Sequence, residues 1–273
     1  REKGLAAQTK KAGRIAAEGM VYAEVDKEKK VGVVIEVNAE TDFVAKNAEF
    51  QAFVKTCAET VAKENPADVE ALLNCKAAGT EMTVDALLKE KILTIGENIK
   101  VRRFIRYEGV VTGYIHMGGK IAVLVKFDTS AEVAAKAEFQ EYAKNIAMQI
   151  AALNPRFWDK AQVTDEVLAE EKKIALALMD TDPKMASKPE AVKEKIVMGK
   201  MNKFYEENCL MQMEFVRSDI FQGSVEKYVA DAAKKLGGSV KFVDAVRFQT
   251  GEGIEKKQED FAAEVAAQMN MGK

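Results

Sequence analysis

The sequence predicts an α+β fold: two related α+β subdomains with antiparallel sheets, a helical hairpin inserted in the second, and a closing helix. Three observations carry this. Apolar and β-branched runs alternate with charged or glycine turns, the signature of antiparallel strand pairs. Stretches 34–66 and 123–155 overlay without a gap, matching Ala48-Glu49-Phe50-Gln51 to Ala137-Glu138-Phe139-Gln140, Lys55 to Lys144 and Asn65-Pro66 to Asn154-Pro155. Each is a strand, a loop and an amphipathic helix stopped by proline, so an internal duplication explains the match better than chance reuse of helix formers. Between 164 and 204 the pattern changes to two amphipathic helices about a proline-containing loop, an antiparallel helical hairpin.

The elements follow in order. Residues 4–18, rich in Ala and Lys, read as a basic helix ending at Gly19. Strands over 20–25 and 31–37 flank the charged turn 26–30. A helix then places Phe50, Phe53, Val54, Cys57 and Val61 on one face as far as Asn65-Pro66. Residues 67–90 suggest two short helices, and Gly96-Glu97-Asn98 precedes a strand over 99–105. Strands over 110–116 and 121–127 bracket Met117-Gly118-Gly119-Lys120, whose glycines can supply the positive φ of a tight turn. One helix is expected over 131–153. Thr164 caps a helix carrying Val167, Leu168, Ile174, Ala175, Leu178 and Met179; Ser187 and Glu190 stand at capping-box spacing before a helix carrying Val192, Ile196, Val197 and Phe204. A helix over 225–236, a returning strand over 240–248 and a last helix over 260–269 complete the chain.

Composition narrows the function. The 273 residues are long enough for a substantial core, and 48% hydrophobic with 31% charged residues fits a folded chain. Lys and Arg number 41 against 43 Asp and Glu, a net charge of −2, so no global basic field draws nucleic acid or an anionic membrane. The single histidine, His116, excludes a multi-histidine metal centre, and Cys57, Cys75 and Cys209 are too scattered for a zinc cluster and fit reduced thiols. No run approaches the ~20 apolar residues of a membrane span. Arg1-Glu2-Lys3-Gly4-Leu5 lacks a signal-peptide core and an initiator methionine, so an upstream segment is expected to be missing. Gly118-Gly119-Lys120 lacks the earlier glycine of a phosphate loop and has Ile121 where a magnesium-holding hydroxyl belongs. No dinucleotide fingerprint or nucleophile elbow occurs. The carboxylates read as solvated helix faces and Cys57 and Cys75 as core thiols, so no enzyme chemistry is expected.

The duplicated halves part at one loop. Thr41-Asp42-Phe43-Val44 lies opposite Ser130-Ala131-Glu132-Val133, so an aromatic residue in one copy is a glutamate in the other. Taken alone, Phe43 reads as a core aromatic at a helix start. Glu132 at the equivalent position argues against that, because a core position would not take a charge. His116, beside a tight turn, reads either as a half-buried packing residue or as a contact residue offering a ring face and one donor.

Glu40-Thr41-Asp42-Phe43-Val44-Ala45-Lys46-Asn47 resembles the hallmark segment of the elongation factor Ts family, nucleotide-exchange factors for the GTPase elongation factor Tu. The resemblance extends through Lys10-Lys11-Ala12-Gly13-Arg14-Ile15-Ala16-Ala17-Glu18-Gly19, through Ile95-Gly96-Glu97-Asn98-Ile99-Lys100-Val101-Arg102-Arg103 and through Gly251-Glu252-Gly253-Ile254-Glu255-Lys256, in the family's order. It implies a basic helical linker over 1–19, including the tail of an N-terminal ubiquitin-associated-type domain around 1–4. It further implies core subdomain N over 20–130, core subdomain C over 131–162 and 209–258, a coiled-coil hairpin over 163–208 and a C-terminal helical module over 259–273.

It also implies that Asp42 and Phe43, within Thr41, Asp42, Phe43 and Val44, enter the GTPase near its magnesium site, and that His116 makes a further contact. Gln149 stands where many relatives have histidine, and the hairpin is either a partner contact or a solvated spacer. The implied function is exchange of guanine nucleotide on elongation factor Tu in a bacterial cytoplasm or organellar matrix. It requires no cofactor, no direct nucleic acid and no membrane. The alternative of a different class is a non-catalytic binding subunit of a larger GTPase or polymerase assembly.

Overall fold

The computed structural model describes residues 2–256. Helix α1 (Glu2–Lys11) leads through an irregular segment into β1 (Glu18–Asp26) and β2 (Val31–Ala39). Helices α2 (Ala48–Glu64), α3 (Val69–Asn74) and α4 (Val84–Ile95) precede β3 (Lys100–Glu108), β4 (Val110–His116) and β5 (Ile121–Thr129). The short α5 (Ala131–Ala134) and long α6 (Ala137–Leu153) follow. The inserted hairpin is α7 (Asp165–Asp180), a linking turn α8 (Pro183–Ala186) and α9 (Glu190–Asn208); α10 (Val225–Leu236) and β6 (Val240–Gln249) return the chain to the core.

The six strands form two antiparallel three-stranded sheets, β1-β2-β3 and β4-β5-β6, so the fold is α+β as expected. Period-2 alternation explains their layering. From β2, Val33, Ile35 and Val37 face the helix α2, where Phe50, Phe53, Val54, Cys57 and Val61 form the buried stripe read from the sequence. Val34 points the other way and meets Val21, Val111, Ala122, Leu124 and Phe248 in the seam between the sheets. Residues of β5 do the same in the second half, with Val123, Val125 and Phe127 against Phe139, Tyr142 and Ile146 of α6. The result is helix, sheet, sheet, helix, with the central strands β2 and β5 covered on both faces.

The duplication is visible in the backbone. Helices α2 and α6 each have 17 residues, occupy the same ungapped register and end on an asparagine in the left-handed region, Asn65 (φ 48°) and Asn154 (φ 45°). Gln51 Nε2 donates to the Ala45 carbonyl at 2.8 Å, and its counterpart Gln140 Nε2 donates to the Ala134 carbonyl at 2.9 Å.

Five expectations need correction. The first helix stops at Lys11, and Glu18 and Gly19 begin β1, opposite Ala39 and Asn38. Gly19 has φ 110° with the Val37 carbonyl against the place of a Cβ, so it permits a close strand approach and does not cap a helix. The boundary at 130 between the subdomains is misplaced, because β4 and β5 pair with β6. A single residue, Gly109 at φ 106°, turns the chain from one sheet into the other. The helix over 131–153 is broken at Ala135 and Lys136, where Lys136 takes an extended conformation at the start of α6. Ser187 does not cap α9; it closes α8, and Pro189 precedes α9 without a side-chain cap. In the hairpin, Ala175, Met179 and Val197 form the buried seam, while Ile174 and Leu178, expected on it, are exposed. The last helix and the module over 259–273 lie outside the described residues.

Candidate functional site

The loop after β2 is held at both ends. On the incoming side the Glu97 carboxylate, just after the glycine that ends α4, accepts the amides of Glu40 (2.9 Å) and Thr41 (3.0 Å) and the Thr41 hydroxyl (2.6 Å). Glu40 in turn accepts the Asn98 amide at 2.7 Å, and Asn98 Nδ2 reaches the Arg14 carbonyl at 2.7 Å. On the outgoing side Val44 is buried in the first core. Asn47 caps α2 by accepting the amides of Glu49 and Phe50 at 2.8 and 3.1 Å.

Between these anchors the four expected contact residues divide. Thr41 is tied to Glu97 and Val44 faces inward, while Asp42 and Phe43 project. Phe43 is 77% exposed, in an unstrained helical conformation at φ −63° and ψ −36°. In the second copy Val133 is buried like Val44, and Glu132 is exposed at the place of Phe43. Ser130, the counterpart of Thr41, spends its hydroxyl on capping its own turn at Val133. The scaffold is common to both copies and the tip is not.

His116 ends β4. Its Nδ1 lies 2.9 Å from the Tyr114 hydroxyl, and the half-buried ring stands beside the exposed Met117. The following turn docks on β1, where the Gly119 carbonyl accepts the Val21 amide at 2.8 Å. Because Glu18 pairs with Ala39 and Met20 with Val37, this turn and the Thr41–Val44 loop share one end of the sheet pair. Gln149 is elsewhere: fully buried, it donates to the Glu214 carbonyl (3.0 Å) and accepts the Val216 amide (2.8 Å). Thr60, its counterpart in α2, likewise accepts a backbone amide, that of Ala78, at 2.9 Å. Gln149 is therefore a buried brace for the segment after the hairpin.

Sequence reasoning attached no role to Glu36, Glu97, Arg102, Arg103 or Gly251. Glu36 is fully buried and accepts from Arg102 Nη1 and Arg103 Nε, both at 2.8 Å, and from the Gly251 amide at 2.7 Å. It thereby ties two separated motifs, those of Arg102-Arg103 and Gly251, to strand β2 under the same end of the sheets. A carboxylate inside the apolar run of β2 was the available signal, since a buried charge demands partners.

A family model described as "Elongation factor TS" matches residues 40–252. Among similar proteins, an elongation factor Ts of Nitratiruptor sp. is 43% identical over 98% of this chain and 87% of its own length. One of Trichlorobacter lovleyi is 44% identical over 98% of this chain and 86% of its own. One of Halothermothrix orenii is 44% identical over 99% of this chain and 86% of its own. With a family match that takes in the Thr41–Val44 loop, β3, the whole second sheet and the hairpin, and with relatives alike over nearly the whole chain, this protein belongs to the elongation factor Ts family of translation elongation factors.

Proposed function

We propose that the protein is a guanine nucleotide exchange factor that binds elongation factor Tu and promotes release of its GDP, without covalent chemistry. The observation that carries this reading is Phe43, an aromatic side chain held in solvent on a loop clamped at both ends. Leaving such a ring exposed forgoes burial worth about 2 kcal/mol, which a partner's pocket can recover. Asp42 and Phe43 are assigned to the wedge that enters near the partner's magnesium, with Thr41 and Val44 as its anchors and His116 as a further contact at the same end.

The mechanism is one of linkage. A factor that binds the empty GTPase better than the nucleotide-bound form must weaken nucleotide binding by the same ratio. A ring that displaces side chains around the magnesium loosens the ion, and the ion is a large share of the charge that holds the diphosphate. The chain needs no metal or cofactor of its own for this, and it handles nucleotide only through the partner. The exposed Ile174 and Leu178 of α7 and Met198 of α9 support a partner-contact role for the hairpin over a solvated spacer. In the test, labelled GDP is preloaded on elongation factor Tu and its release followed in excess unlabelled nucleotide, with and without the protein. Acceleration at substoichiometric factor is expected. A tight complex that releases GDP at the unaided rate would instead support the binding-subunit alternative.

A further inference from the structure

We infer that Glu97 is the positioning residue of the Phe43 wedge, an assignment that rests on the exchange-factor reading above. Its carboxylate is committed to one short stretch of backbone. Oε2 accepts two successive amides, those of Glu40 and Thr41, while Oε1 takes the Thr41 hydroxyl. Charged acceptors make the stronger class of hydrogen bond, and three of them fix both the position and the direction of the chain as it leaves β2. Phe43 lies two residues further on, so whatever orients Thr41 aims the ring.

Glu97 is itself well founded. It follows Gly96, which ends α4 in the left-handed conformation (φ 87°) with its amide on the Ile92 carbonyl. Val84, Leu88 and Ile92 root that helix in the first core. The next residue, the buried Asn98, closes the ring of contacts by donating its amide to Glu40 and its side-chain amide to Arg14. The duplicated half supplies an internal comparison. There Ser130 turns its hydroxyl to a local cap, and the tip carries Glu132 in place of the aromatic. The Thr41–Glu97 clamp accompanies the aromatic tip in the one copy, and among the described residues both are missing from the other.

Preorganisation has a kinetic signature. If the clamp holds the loop in its inserting conformation, removing it lowers the fraction of factor able to displace magnesium, while the encounter made by the rest of the surface persists. GDP release from elongation factor Tu is measured against factor concentration for the parent, Glu97→Ala, Glu97→Gln, Phe43→Ala and the Phe43→Ala/Glu97→Ala pair. The expected result for Glu97→Ala is a roughly tenfold fall in the maximal rate, with the half-saturating concentration moving less than about twofold. Glu97→Gln, which keeps one acceptor oxygen, should recover part of the loss. In the Phe43→Ala background Glu97→Ala should add almost nothing, because both changes act through the same ring. Amide exchange at Glu40 and Thr41 should rise in Glu97→Ala, and should it fail to fold, Glu97→Gln carries the same comparison. Equal losses in both backgrounds, or a full rate despite lost amide protection, would overturn the positioning role alone. A parent rate for Phe43→Ala would overturn the wedge and the positioning role together.

Discussion

At the residue scale the molecule spends buried charge and exposed apolar surface at one end, and the two are connected. Glu36 and Glu97 are carboxylates whose oxygens are satisfied by backbone amides and side-chain donors, and both lie beneath or beside the loop that holds Phe43 in water. Removing one partner of a buried ion group leaves the others uncompensated. Glu36→Ala should therefore lower unfolding free energy by about 3 kcal/mol or more, read as a lower denaturant midpoint at unchanged slope. Cys57 gives a pH-dependent expectation. Burial pushes its thiol from the ordinary 9.0 up to about 12. The folded state therefore keeps the proton where the unfolded state loses it: the stabilisation is complete below pH ~9 and is lost as pH rises toward 12. Urea unfolding between pH 8 and 11 should show stability falling less steeply in Cys57→Ala than in the parent, by up to about 1.4 kcal/mol per pH unit above 9. Single residues were legible unevenly in the sequence. Phe50, Phe53 and Cys57 announce burial by helical spacing, and Phe43 announces itself by contrast with Glu132. The work of Glu97 was hidden, because it joins residues 56 positions apart and no local pattern encodes such a contact.

At the scale of elements, periodicity located nearly every helix and strand, and the failures have local causes. Gly109 sits between two strand-forming runs, and sequence alone does not say whether such a glycine bends one sheet or passes to another. The hairpin helices carry more apolar residues than their seam buries, so the stripe read from spacing included Ile174 and Leu178, which face solvent. That hairpin joins the core at its root, where Phe157, Val163, Phe204 and Cys209 cluster and the Asn208 carbonyl accepts the amides of Arg156 and Phe157. Replacing residues 170–200 by a short Gly/Ser linker should therefore leave the main thermal transition within a few degrees of the parent. It should also slow or weaken engagement of the partner. A collapse of the main transition would mean that the hairpin supports the core.

At the scale of the whole molecule, two copies of one sheet-and-helix unit share a seam, and neither sheet is complete without the other's apolar face. Leu124 is fully buried there, beside Val21 and Val34 of the first half. Leu124→Ala should cost about 2–5 kcal/mol and raise amide exchange in both sheets, whereas an effect confined to β4, β5 and β6 would show that the halves fold independently. Duplication also accounts for the aromatic tip being present in one copy only. Both copies retain the buried valine, the Gln51 or Gln140 brace and the asparagine-capped helix, and only the first carries an aromatic residue on a clamped loop. This makes Glu132 the natural control. The most direct test of the central claim is GDP release from elongation factor Tu with the parent, Phe43→Ala and Glu132→Ala side by side. Phe43→Ala should slow release by about tenfold or more, the size of a hot-spot aromatic, while Glu132→Ala stays within about twofold of the parent. Equal rates for Phe43→Ala and the parent, with the fold intact, would contradict the account.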